Sequence, residues 1–318
     1  RASILLLDNP DHARVREPIV AAFNKRAAAM EPTIRRIVAE TLMKLPLAGE
    51  FDLISAFAIP IPILVIAAIL GIESEMLNDF RRWSVAIADG FNPARGPEAT
   101  KRMVEGHNAA TAYFDAAIQA RRRDPQDDLI SDLVAHQAKH QALSDAEIRY
   151  NCLLLLAAGN STTTDLIGMA VYFILSTPAA AAAIKADPAK IKGAVEETLR
   201  IVPSIENTAR VASHDLDIEG HSIKQGEVVL VSLIGANHDP AVFANPHSFD
   251  ISRQKPSHIS FGGGAHFCLG AALARMETNI ALTALFDRIP KLRLADPTPR
   301  WRISPTFRGL DRLDVAVE

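Results

Sequence analysis

The sequence predicts a mainly α-helical fold with a smaller β region. Three observations carry that prediction. Apolar residues recur at helical spacing through most of 1–201, period-two alternation is confined to short runs between 207 and 234, and a last helical pattern fills 269–289. The helix-rich parts are therefore 1–201 and 268–290, and the β- and loop-rich parts are 202–267 and 291–318. With 318 residues, 48% of them hydrophobic, the chain buries a large core and is long for one ordinary domain, so size does not decide the domain count.

Two helices follow one another across 11–47, the first opening after Asp8, Asn9 and Pro10, a cluster that reads as an N-cap. Helical patterns continue at 62–72, 75–89, 99–122 and 127–140, and Asn92, Pro93, Gly96 and Pro97 mark the clearest loop. Ser144 opens the longest helix. With Asp145 and Glu147 in its first turn it runs to residue 175, roughly 45 Å, enough to cross a domain. Asp187 as N-cap and Pro188 at the first helical position open a helix over 188–201, which Pro203 stops. Short strands follow at 207–212, 216–218 and 227–234, and 237–255 wanders before a glycine-rich loop. The alanines of 179–183 read as good helix former and nothing more, and no repeat is visible.

Lys and Arg number 34 against 37 Asp and Glu, a net charge of −3 without a long basic run, which argues against nucleic-acid binding. Two cysteines, Cys152 in a leucine run and Cys268 in the glycine loop, make no disulfide framework and predict a reducing, cytoplasmic setting. The longest apolar stretch, 57–72, has 16 residues broken by Pro60 and Pro62, short of the about 20 a membrane span needs. The first residues lack Met and start in mid-pattern, which predicts that the sequence begins inside a longer one.

The chemistry concentrates around Cys268. The loop reads Phe261, Gly262, Gly263, Gly264, Ala265, His266, Phe267, Cys268, Leu269, Gly270. Glycines let a backbone turn tightly and lie flat against a planar group, and the helical pattern after Cys268 places the sulfur at a helix N-terminus, where free N–H groups favour thiolate. Without a cofactor such a cysteine is a small buried hydrophobe. The pattern FxxGxHxCxG resembles the haem-binding loop of the cytochrome P450 family, whose cysteine thiolate is the axial ligand of the haem iron.

Three further segments carry the same resemblance. Glu197 and Arg200 resemble the family's ExxR pair, which is buried and tied to an arginine in the loop before the ligand. Ser248 holds that arginine's usual position here, leaving Arg253 or His247 as the third member. In the middle of the long helix, Ala158, Gly159, Asn160, Ser161 and Thr162 resemble the AGx(Asp or Glu)T turn over the iron. Thr162 aligns with the alcohol that handles protons beside bound dioxygen, and Ser161 stands where the family has an acid, so proton delivery passes through Ser161 or uses Asn160 or Asp165. Gly and three threonines in an apolar helix also loosen its ladder by bonds to i−4 carbonyls. Asp8 to Arg16 resembles DPPxHxxxR, putting His12 and Arg16 on one face; with Arg210 and His258 they match positions that contact haem propionates.

The resemblance implies a cytochrome P450 fold lacking part of its N-terminal portion, haem b between the long helix and the Cys268 loop, and hydroxylation of a hydrophobic small molecule with dioxygen. The implied cofactor contacts are His12, Arg16, Arg210, His258, Phe261, Gly262, His266, Cys268 and Gly270, and the implied distal residues are Gly159, Ser161 and Thr162. Substrate contacts fall on the 88–97 loop, on Leu154, Ala157 and Ala158, on Ile205 to Thr208 with Glu206 and Asn207 as polar anchors, and on Thr306 and Phe307. Electrons from NAD(P)H arrive through a ferredoxin and its reductase, the acidic partner meeting Arg14, Lys25, Arg26 and Arg275, and the enzyme is monomeric. The competing readings are a non-catalytic haem-binding remnant, a peroxide-driven oxygenase or isomerase of the same fold, and a helical interaction protein without cofactor.

Overall fold

The computed structural model describes residues 3–90, 92, 95–140, 142–254, 257–302, 304 and 306–317. Helices α1 (Asp11–Ala28) and α2 (Glu31–Leu42) lie within the predicted stretch. The start of α1 has no side-chain cap; the His12 N–H donates to the Asp8 carbonyl at 2.9 Å, so the Asp8 cluster contributes backbone instead. Helix α3 (Pro60–Leu70) begins at Pro60, where proline's missing N–H is no loss, and ends at Gly71 in the left-handed region, φ +70°. Helices α4 (Leu77–Asp89), α5 (Pro97–Arg123) and α6 (Leu129–His140) follow near their predicted places.

The long helix α7 (Asp145–Ser176) has 32 residues and opens on a capping box. The Glu147 N–H donates to Ser144 Oγ at 3.2 Å and the Ser144 N–H to Glu147 Oε2 at 2.7 Å. It runs through the middle of the molecule, packed by α3, α4 and α5, by α9 (Ile191–Ile201) and by α11 (Ala271–Arg288). Gly159 lets α7 approach α3 closely: a Cβ there would lie 3.2 Å from Ile66. Cys152, buried in the same helix, has its thiol pushed up to about 12 by desolvation, as an inert core cysteine does.

The alanine run is helical, as its composition predicts. It is a separate helix, α8 (Pro178–Ala186), with Pro178 at its first turn. The next helix starts as a tighter turn at Pro188–Lys190, capped by Asp187 through the Ala189 N–H at 3.1 Å, before α9. β2 (Asn207–Val211) pairs antiparallel with β5 (Val228–Ser232), Arg210 opposite Val229, and β3 (Leu216–Ile218) with β4 (His221–Ile223). The end of the third predicted strand is instead α10 (Leu233–Asn237), because Ser232 Oγ accepts the Gly235 N–H at 3.1 Å and starts a helical turn. After α11 come β6 (Arg293–Leu294), β7 (Arg300–Trp301), β8 (Leu310–Arg312) and β9 (Asp314–Val317). β9 is the middle strand between β6 and β1 (Gly49–Asp52), a strand too short to signal itself, whose partner lies at the far end of the chain. One apolar core extends from Ile4 to Val315. No single helix among the described residues is long and apolar enough to cross a membrane.

Candidate active site

Gly262 and Gly264 adopt left-handed backbone, φ +69° and +64°, and a turn at Gly264–His266 then delivers Cys268 just before α11. The Cys268 N–H donates to the Phe261 carbonyl at 2.9 Å, closing the loop on itself. The sulfur is reachable from solvent. Surrounding protein nonetheless pushes its thiol up by desolvation, against the N–H groups of Gly270 and Ala271 and the cations Arg16 and Arg275. The helix-end donors are thus present as predicted, but in the protein alone desolvation outweighs them; a metal ion held by Cys268 would favour the thiolate.

Glu197 and Arg200 are fully buried and joined through two bonds, Nε to Oε2 at 2.8 Å and Nη2 to Oε1 at 2.7 Å. Arg200 donates further to the carbonyls of Asn237 and Pro246, both at 2.8 Å, and of Ser248 at 3.3 Å. The third member is Arg253, whose Nε meets Glu197 Oε1 at 2.9 Å; His247 instead stacks on His238. Sequence spacing alone left these two open because the loop between them has no period.

The predicted propionate contacts divide. His12 and His266 meet with ring centroids 4.3 Å apart, and Arg16 Nη2 donates to the Phe267 carbonyl at 2.5 Å, so these three gather beside Cys268. Burial and the neighbouring His266 and Arg16 hold His12 below the usual histidine range. Among the described residues Arg210 bonds along its own strand, to Thr208 Oγ1 at 3.0 Å and the Ala209 carbonyl at 2.8 Å. His258 meets two partners of its own chain. Its Nδ1 accepts the Ser260 N–H at 3.3 Å and its Nε2 meets Glu196 Oε2 at 3.1 Å, so both ring nitrogens are engaged within the chain. Glu196, which sequence reasoning missed, also takes Arg275 Nε at 2.6 Å and Nη2 at 2.9 Å and is held at about 2. Its partners lie on a distant loop and another helix, so nothing local marks it.

On α7, Leu154, Ala158 and Thr162 form an accessible i, i+4, i+8 stripe with Ser161 beside it, whereas Ala157 is buried and cannot face an open site as expected. Thr162 Oγ1 donates to the Ala158 carbonyl at 2.9 Å, the predicted back-bond, and Ser204 Oγ donates to the Thr162 carbonyl at 3.1 Å. Asn160 is buried, its amide donating to Ser84 Oγ at 3.0 Å. Ile205 is exposed and Asn207 sits in β2, while Glu206 is paired with Arg308 at 3.0 Å and so is not a free anchor. Phe307 is half-buried; Phe91, Pro93 and Ala94 of the predicted substrate loop lie outside the described residues.

Asp165 is buried and ion-paired with Arg302, yet burial raises its carboxyl to about 7, Arg302 opposing and Asp311 adding to the rise. A raised folded pKa means that the native state keeps a proton the unfolded chain has already lost. Stability from this group is therefore full below the ordinary Asp range and falls as pH climbs to about 7. Asp165→Asn is expected to flatten the fall in urea midpoint between pH 5 and 8 by on the order of a few kcal/mol; parallel curves for variant and wild type would refute it.

The cations expected to meet a redox partner are mostly spent inside the chain. Arg14 bonds Asp11 and Glu147, Arg26 bonds Asp127 and Asp132, and Arg275 bonds Glu196, which leaves Lys25, 3.7 Å from Asp132, as the most exposed.

Two observations test the fit to a planar anionic cofactor. A Cβ added at Gly262, Gly263, Gly264 or Gly270 would meet no protein atom within 4 Å, so packing within the chain does not require those glycines to be bare. His12 Nε2 is buried without a hydrogen-bond partner among the described residues. A flat ring over the glycines and a carboxylate at His12 suit both. Residues 74–289 match the family model for cytochrome P450. Cytochrome P450 107B1 of Saccharopolyspora erythraea is 39% identical over 316 residues, 98% of this chain and 76% of its own. The 6-deoxyerythronolide B hydroxylase of the same organism is 37% identical over 316 residues, 98% of this chain and 77% of its own. The structure of P450BioI in complex with a hexadec-9Z-enoic acid ligated acyl carrier protein superimposes with a TM-score of 0.93 at 38% identity, covering 99% of this chain and 81% of that one. Motif, fold and relatives agree, and the chain belongs to the cytochrome P450 family of haem-thiolate monooxygenases, whose cofactor is haem b.

Proposed function

We propose that this chain hydroxylates a hydrophobic small molecule with electrons from NAD(P)H delivered by a ferredoxin and its reductase, as a single-domain, cytoplasmic monomer. The observation that carries the reading is the position of Cys268: a reachable sulfur before α11, with the Gly270 and Ala271 N–H groups directed at it and bare glycines on the loop. Cys268 would hold the iron, and His12, Arg16 and His266 would hold the anionic edge of the ring. When bound, the haem supplies the oxygen-insertion chemistry.

The chain's own residues set what that chemistry meets. Leu154 and Ala158 keep the accessible face of α7 apolar and small, which selects hydrophobic substrates and keeps water scarce. The Thr162 hydroxyl, anchored on the Ala158 carbonyl, is the group placed to pass a proton, and Ser161 beside it relays protons without supplying them from a carboxyl. Spectral titration against a hydrophobic compound library identifies the substrate class; a library without one binder would sink the substrate claim.

Ser161 favours a second reading, in which peroxide replaces the electron partner and no acid is needed. Turnover of a bound compound with ferredoxin, reductase and NAD(P)H is expected to exceed turnover with hydrogen peroxide, and Ser161→Glu is expected to raise product formed per NAD(P)H consumed. Full turnover with peroxide and none with ferredoxin would decide for the second reading.

A further inference from the structure

The Cys268 loop has few anchors of its own. From Gly262 to Gly264 it carries no side chain, two of its glycines are left-handed, and Phe267 is exposed. Its fixed end is the segment before the glycines: the Ile259 N–H donates to Asn237 Oδ1 at 2.9 Å and Ser260 Oγ to the Leu199 carbonyl at 2.6 Å. Phe261 is the joint between that fixed end and the cysteine, because its carbonyl takes the Cys268 N–H.

Three side chains close on this joint from outside. The Arg275 guanidinium, about one turn into α11, lies 4.5 Å over the Phe261 ring and holds Glu196 of α9 with both Nε and Nη2. Glu196 Oε2, the oxygen that takes Arg275 Nη2, also meets His258 Nε2. Since His258 Nδ1 accepts from Ser260, Nε2 carries the proton and donates to Glu196. The His258 side chain is almost fully buried, and its ring lies 6.1 Å from Phe261. The arrangement links α9, α11 and the loop through one carboxylate.

We propose that Arg275, Glu196 and His258 form a clasp that positions Phe261, and through it the backbone carrying Cys268, so that the sulfur keeps its place on the cofactor. They are positioning residues; none is assigned a contact with substrate. The inference rests on the reading of Cys268 as the haem ligand. It also gives a shared role to a histidine ten residues before the cysteine and an arginine seven after it.

The test uses haem-loaded protein as its reduced carbon-monoxide complex, following loss of the thiolate-ligated band in mild urea. Glu196→Gln, Arg275→Met and His258→Phe are each expected to speed that loss about tenfold, the scale of one charged hydrogen bond. Arg275→Lys, which keeps the charge and the apolar stem but not the fork, is expected to fall between. A purely electrostatic role makes a different prediction, because removing a negative charge at Glu196 and a positive one at Arg275 would move the reduction potential and the loss rate in opposite directions. Opposite changes, or rates equal to wild type, would overturn the clasp. Wild-type protein without a thiolate band would instead overturn the assignment of Cys268.

Discussion

Cys268→Ala is expected to abolish the thiolate-ligated spectrum of the haem-loaded protein and reduce monooxygenase turnover to background, while the apoprotein keeps its fold. The two halves of that expectation come from different parts of the geometry. The bonds that shape the loop here are backbone bonds, Cys268 N–H to Phe261 and Ala271 N–H to the Cys268 carbonyl, and alanine makes both. The side chain contributes only the sulfur, on a residue exposed to solvent, so its removal is expected to cost little stability. Among the described residues no group of three His, Cys, Asp or Glu is placed to hold a metal ion, and the His266 ring, two residues away, lies tilted against His12 with centroids 4.3 Å apart. Urea unfolding of the apoprotein and the carbon-monoxide difference spectrum of the reconstituted variant check the two halves separately. A retained thiolate band would refute the ligand assignment outright.

Much of this was legible because the informative signals are local. The capping box at Ser144 and Glu147, the proline starts of helices and the bare glycines before Cys268 each follow from neighbouring residues, and each stands close to where the sequence puts it. What escaped depends on distance. β1 finds its partner β9 across nearly the whole chain, and four residues carry too little alternation to announce it. Glu196 drew no reading because its partners His258 and Arg275 come from elsewhere in the chain. The same blindness made Arg14, Arg26 and Arg275 look like free surface charge, when each has a carboxylate within hydrogen-bond reach. Ala157 failed for a different reason: a helix face turns by about 100° per residue, so Ala157 and Ala158 cannot both look into one site, and Gly159 against Ile66 fixes which of them is inside.

The largest effect on stability is expected at Arg200. All five of its N–H donors are placed: two on Glu197, one each on the carbonyls of Asn237, Pro246 and Ser248. Its guanidinium also lies 5.2 Å over the Phe243 ring. Arg200→Met would leave a buried carboxylate and three carbonyls without that partner, a loss of about 3–5 kcal/mol for one member of a buried pair. That is a large part of an ordinary domain's margin of about 5–15 kcal/mol. Arg200→Lys is not expected to rescue, since an ammonium has three donors on a flexible stem where a planar fork is needed. Arg253→Ala is expected to cost less, because Glu197 then keeps Arg200 and the Asp250 N–H at 3.0 Å. The two are coupled through one oxygen, so the double variant should depart from the sum of the singles. The damage would also travel. The carbonyls that Arg200 gathers belong to the segment leading into Ser260 and Phe261, so a variant that survives folding should bind haem weakly even though it touches none of the proposed cofactor contacts. Urea midpoints of the apoproteins and haem retention on gel filtration measure the two effects, and an Arg200→Met protein as stable as wild type would show that the buried pair is dispensable.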